Sequence, residues 1–221
     1  SSSTPNTDEI GPKSYLITGN VGDVNVTVQT YPPREGTSTG KEASLDTAVK
    51  IFDAQVKKLK DSSGSTSPSQ TPSASSQGAS DRDLSSKLIN GSVAGFSLAP
   101  MESRSPLAAI SNSFYEASEY ELNPDGCDRT GLDDLTAGTE GSLGPVHARV
   151  ALGTDTSSPQ KHRRYAQKCS TITGTVNGEP ISESVTLEDA PTIDGATNIV
   201  ATSASSSTPN TDEIGPKSYL I

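Results

Sequence analysis

Apolar and polar positions along this chain fall into short alternating runs separated by polar punctuation, with a few stretches at helical spacing. Tyr15 to Ile17 opens the first apolar run. Val24, Val26 and Val28 then alternate with Asn25, Thr27 and Gln29, which predicts a strand with one buried and one wet face. Asn20-Val21-Gly22-Asp23 between the runs predicts a hairpin turn, and Pro32-Pro33 ends the pairing. Leu45, Val49, Phe52, Val56 and Leu59 recur on one helical stripe, so a helix is expected over Leu45–Lys60. Lys57, Lys58 and Lys60 near its end complement the helix dipole.

Further along, Lys87–Leu98 reads as a second hairpin, turning at Asn90-Gly91 or bending at Gly95. Ser105-Pro106 predicts a capped helix start. Leu107, Ile110, Phe114 and Ala117 would share its face, and Asn123-Pro124-Asp125-Gly126 would stop it. His147–Leu152 alternates weakly as a strand, and Ser158-Pro159 starts a short basic helix reaching about Cys169. Thr171–Val176 and Ile181–Leu187 flank Asn177-Gly178, a pair suited to a type I′ hairpin turn. A last strand is expected over Thr197–Thr202. The pattern as a whole predicts an α+β fold of small antiparallel hairpins with two or three short helices.

One stretch occurs twice. Ser1–Ile17 reads SSSTPNTDEIGPKSYLI, and Ser205–Ile221 repeats it letter for letter. That is one period of 204 residues plus the opening of the next, the mark of a tandem array. The period divides into a connector over 1–14, a hairpin plus helix over 15–60, a Ser/Pro-rich low-complexity tract over 61–84, and hairpins with two helices over 85–204; residues 205–221 begin the next repeat. The tract cannot bury enough surface to offset its ordering entropy, so by itself it is expected to be disordered. In this reading Ser14, Tyr15, Leu16 and Ile17, or their copies Ser218, Tyr219, Leu220 and Ile221, form a strand that completes a sheet across the junction between units.

Composition narrows the partners. Hydrophobic residues make up 30% of the chain, with three Phe, six Tyr and no Trp, so a core is expected only in patches or with help from neighbouring copies. A deep, dry active site is not expected. Net charge is −10; the second copy contributes Asp212, Glu213 and Lys217, so one period carries −9. Such units repel phosphate backbones, which argues against nucleic-acid binding, and like-charged copies stay soluble. No apolar run approaches the roughly 20 residues that span a bilayer. The opening residues lack a basic-plus-apolar leader, but they lie within a repeat, so the route of the protein stays open.

Candidate chemistry is sparse. Cys127 and Cys169 are the only cysteines; a disulfide between them would close a loop of about 43 residues, worth about 4 kcal/mol in the chain-entropy model, and two free thiols are the alternative. Asn25-Val26-Thr27 and Asn90-Gly91-Ser92 are glycosylation sequons in a secreted chain, with Asn25 expected on the wet face of its strand. Gly36-Thr37-Ser38-Thr39-Gly40 matches a nucleophile-elbow pattern, yet Pro32-Pro33-Arg34-Glu35 separates it from the strand such an elbow needs. Asp125, Asp128, Asp133 and Asp134 offer oxygen ligands but not calcium-loop spacing, and His147 and His162 lack zinc spacing. Lys161-His162-Arg163-Arg164 reads either as a basic helix face meeting acidic neighbours or as a processing site. No cofactor, metal or catalytic residue is expected. The expectation is a structural repeat of an extracellular filament or surface assembly, partnered by its own copies. The alternatives are a secreted polyprotein cut at Lys161–Arg164 and an adhesin or glycan-binding repeat.

Overall fold

A computed structural model describes residues 13–32, 43–63, 84–102, 105–114 and 117–207. Among the described residues ten strands form one antiparallel sheet, accompanied by three α-helices. In chain order these are β1 (Ser14–Val21), β2 (Val24–Tyr31), α1 (Leu45–Ser63), β3 (Gly91–Val93), β4 (Phe96–Pro100), α2 (Ser105–Ser111), β5 (Tyr120–Asn123), β6 (Leu135–Leu143), β7 (Val146–Gly153), α3 (Ser158–Lys168), β8 (Thr171–Val176), β9 (Glu179–Glu188) and β10 (Thr197–Ser207). Their order across the sheet is β3-β4-β6-β7-β2-β1-β10-β9-β8-β5. The described chain therefore starts in the middle of the sheet and builds outward, and its last strand returns to lie beside the first.

Alternation along β1 sends successive side chains to opposite faces. Ile17 joins α1 residues Ile51, Phe52 and Val56 in the main core, whereas Leu16 packs with Leu107 and Ile110 of α2. Helix α1 thus covers one face of the central strands, and α2 and α3 cover the other. Gly19 allows the first contact to be close: a Cβ there would lie 3.0 Å from the Phe52 ring. A third cluster gathers Tyr165, Ala166 and Cys169 of α3 and its C-cap over Ile172, Ile181 and Val185.

Several expectations change. β2 has no wet face, because every one of its residues is buried. Asn25, Thr27 and Gln29 face the α2–α3 side, where their polar groups are covered rather than solvated. The core falls into three clusters, the largest of them on the α1 side. On the opposite face, hydrogen-bonded Thr18, Asn25 and Thr27 side chains fill interior positions that a count of apolar residues misses. Helix α1 runs to Ser63, and its buried face includes Ala48, Ile51 and Gln55, with Leu45 and Val49 at its margin. Helix α2 ends at Ser111, so Phe114 and Ala117 lie beyond it, and β5 precedes Pro124 instead of helix. The second hairpin turns at Ala94-Gly95, both at positive φ. Asn177-Gly178 turns β8 into β9, both again at positive φ as a type I′ turn demands. Finally, β10 extends to Ser207 and takes in the first three residues of the second 17-residue copy.

Candidate functional site

The seam between β1 and β10 is where the chain's repeat meets its fold. Five residue pairs run in regular antiparallel register: Ser14 with Ala204, Tyr15 with Ser203, Leu16 with Thr202, Ile17 with Ala201 and Thr18 with Val200. The ladder then shifts before Asn20 pairs with Thr197. Ser14 donates from Oγ to the Ala204 carbonyl at 3.4 Å. On its other side β1 pairs with β2 from Tyr15–Thr30 to Val21–Val24, so Ser14–Ile17 is an interior segment and not a sheet edge. The copy Ser218–Ile221 lies outside the described residues, as do the connector 1–12, the glycine-serine loop 36–40 and most of the Ser/Pro tract.

Helix α3 forms the roof of this seam. Ser158 and Pro159 start it, and its buried face carries His162, Tyr165 and Ala166. His162 is enclosed between Thr130 and β10: Nδ1 is 2.9 Å from the Thr130 carbonyl oxygen, and Nε2 is 3.0 Å from Thr202 Oγ1. A carbonyl can only accept, so Nδ1 carries the proton and the Thr202 hydroxyl donates to Nε2. Burial pushes the imidazole pKa down to about 4, which keeps the ring neutral at neutral pH. Tyr165 exchanges a 2.9 Å hydrogen bond with Ser113, and burial, with the nearby Glu183 carboxyl, raises its phenol pKa. Glu183 of β9 is itself buried, with Oε1 lacking a hydrogen-bond partner among the described residues, and burial lifts its pKa to about 8. A cavity of about 20 Å³, roughly the room one water needs, is lined by Ser14, Leu16, Gln29, His162, Tyr165 and Thr202, among others. The Thr202–His162 pair is sealed under this roof. It resembles a nucleophile and base in composition only, since among the described residues no substrate-sized space adjoins it.

The other sequence candidates lie elsewhere. Cys127 and Cys169 form a buried disulfide, Cα to Cα 5.8 Å, that ties the loop after β5 to the C-cap of α3. Asn25 is buried in β2, where its Nδ2 donates to Thr18 Oγ1 at 3.0 Å and to the Gly19 carbonyl at 3.3 Å. A folded unit therefore leaves no room for a glycan on Asn25. Asn90 is exposed just before β3. Lys161–Arg164 sit inside α3, with Lys161 paired to Asp155 at 2.6 Å. The hydrogen bond from Lys161 is the chief reason the Asp155 pKa falls to about 2. His162 points into the core, so the four residues do not form one basic face.

The aspartates of the 125–134 loop are spread over separate contacts. Asp128 accepts from the Tyr120 hydroxyl at 2.9 Å, Asp133 pairs with Arg129 at 3.5 Å, and Asp134 accepts from Thr154 at 3.2 Å. Among the described residues no group of His, Cys, Asp and Glu is arranged to hold a metal. An open depression of about 620 Å³ lies beside β5 and β8, lined by Tyr120, Asp125, Asp128, Thr173 and Thr175, among others. No helix among the described residues is long and apolar enough to cross a membrane. No protein-family model, curated protein or solved structure matches the chain.

Proposed function

We propose that this chain is a structural repeat of an extracellular filament or surface assembly, in which successive units are joined by strand pairing at the repeat junction. The observation that carries this reading is the position of the duplicated sequence in the sheet. Ser14 lies opposite Ala204, and the second copy begins with the very next residue, Ser205. The start of β1 and the end of the period thus lie side by side in the sheet, and the second copy continues directly from β10. Main-chain pairing of that kind joins units without needing a large apolar interface. The buried disulfide fits an oxidising compartment, and the exposed Asn90 fits a glycan acceptor there.

The test compares the full chain with one ending at Pro216, by sedimentation and electron microscopy. The full chain should form extended assemblies that the shortened chain does not. Equal assembly by both would refute the proposal. Cleavage into units at Lys161–Arg164 has less support, since a protease binds extended backbone and these residues are helical. A glycan-binding repeat would use the depression beside β5, where Tyr120 is 41% exposed. Oligosaccharide titration that shifts the Tyr120 ring resonances would favour that second reading.

A further inference from the structure

We infer that the slot between β10 and β2 accepts either copy of the duplicated strand, so that units join by exchange of β1 in the sheet interior rather than by addition at an edge. This rests on the assembly reading above and specifies its junction. The duplicated letters end at Ile17, and they cover four of the five pairs that hold regular register before the ladder shifts. Everything the slot recognises in that stretch is therefore present again in Ser218–Ile221.

The recognition is two-faced. Leu16 enters the α2 cluster and Ser14 and Leu16 line the cavity under His162 and Tyr165, whereas Ile17 enters the α1 core and Tyr15 packs against it. Leu220, Ser218, Ile221 and Tyr219 supply the same groups in the same order. The incoming copy offers the slot the same side chains that the outgoing one withdraws, so tethering sets the balance, as in domain swapping. The first copy is tethered to the slot through the Gly22-Asp23 turn, and the second through the thirteen residues 205–217. The shorter tether favours the first copy, so the second is the minor occupant within the isolated chain. In an array the incoming β1 brings its own β2, and the Ser14–Ile17 segment it releases is free to pair with the β10 of the preceding unit.

Three substitutions in the full chain, Ser14→Cys, Ala204→Cys and Ser218→Cys, set the two copies in competition for one partner. The native disulfide leaves no other free thiol. After mild oxidation, mass spectrometry of non-reduced peptides should find the 14–204 link as the major product and the 204–218 link as a minor one. Adding Leu220→Asp should abolish the second link and leave the first intact, because a carboxylate cannot enter the pocket that takes Leu16. Finding only the 14–204 link overturns the exchange, and so does a 204–218 link that survives Leu220→Asp. Assembly of the unsubstituted chain is scored separately: filaments without the 204–218 link leave the structural role standing and remove this junction.

Discussion

Nε2 of His162 lies 3.0 Å from Thr202 Oγ1, so the roof helix α3 is fastened to β10 at the point where β10 meets β1. The bond needs a neutral ring, and burial supplies one by lowering the pKa to about 4 from 6.5. Unfolded chains bind this proton below pH 6.5 and folded ones do not, so His162 stabilises the fold above pH 6.5 and loses that effect as pH falls toward 4. Glu183 acts in the opposite sense. Its pKa is raised to about 8 from 4.5, so its contribution is complete below pH 4.5 and is lost as pH rises through 8. The two oppose each other between pH 4.5 and 6.5, where stability should be nearly flat. From pH 6.5 to 8 Glu183 acts alone and should lower stability by about 2 kcal/mol. Urea unfolding at both pH values measures this. In Glu183→Gln the decline should vanish; an unchanged decline would assign it to other groups.

The disulfide joins two buried cysteines 42 positions apart and closes the loop that carries β6, β7 and α3. Constraining a loop of that length is worth about 4 kcal/mol in the chain-entropy model. Replacing both cysteines with Ser should lower the thermal midpoint by roughly ten degrees at this domain size, since each kcal/mol shifts it by about 2–4 °C. Reduction of the parent protein should reproduce most of that loss. A midpoint that moves by less than about 3 °C would mean that packing around α3 holds the loop without the covalent link.

How much of this fold is legible in the sequence depends on how each element earns its stability. The β8–β9 hairpin is legible because Asn177-Gly178 dictates its own turn, and α1 because its apolar stripe stands out against lysines. β5 and β6 are not legible. Their residues, TAGTEGSL among them, carry little hydrophobic signal and become strands through pairing with β8 and β7. Alternation misplaces Asn25 because it assigns the polar set of a strand to water. In the sheet, Thr18, Asn25 and Thr27 bond to one another instead. His162 hides among four basic residues, although Pro159, His162, Tyr165, Ala166 and Cys169 trace one face of a helix. The tie from that face to Thr202 spans 40 residues and leaves no local trace. The duplication marks out Ser14–Ile17 in the sequence, but its interior position depends on pairing with a strand about 190 residues away.

Glycosylation separates the two sequons. Asn25 gives its amide to Thr18 and Gly19 inside the sheet, whereas Asn90 is exposed beside the β3 edge. A glycan attached to Asn25 before β2 pairs would hold that strand out of the sheet. Folded material secreted from a glycosylating host should therefore carry one N-linked glycan, removed entirely by Asn90→Gln. Intact-mass measurement decides it, and a glycan remaining after Asn90→Gln would contradict the buried position of Asn25.

Gln55 offers the sharpest test of how the chain rejoins the sheet after the low-complexity tract. It lies in the buried face of α1, yet both ends of its amide are bonded: Nε2 donates to the Lys87 carbonyl at 2.8 Å, and Oε1 accepts from the Ile89 amide at 2.9 Å. Lys58 adds a bond to the Leu88 carbonyl at 2.5 Å. A segment with no strand partner among the described residues is thereby held against the helix, and Leu84, Leu88 and Ile89 reach the main core. Gln55→Leu keeps similar volume but strands one buried N–H and one carbonyl. At about 1–3 kcal/mol for each stranded group, the loss should be about 2–6 kcal/mol, larger than a typical hydrogen bond's net worth. Hydrogen exchange at the Ile89 amide should accelerate more than exchange in β1 or β2, because the segment can detach while the sheet persists. Uniform acceleration at all three places would mean that the segment opens only with the whole domain, and that Gln55 contributes to global stability without acting as a local clasp.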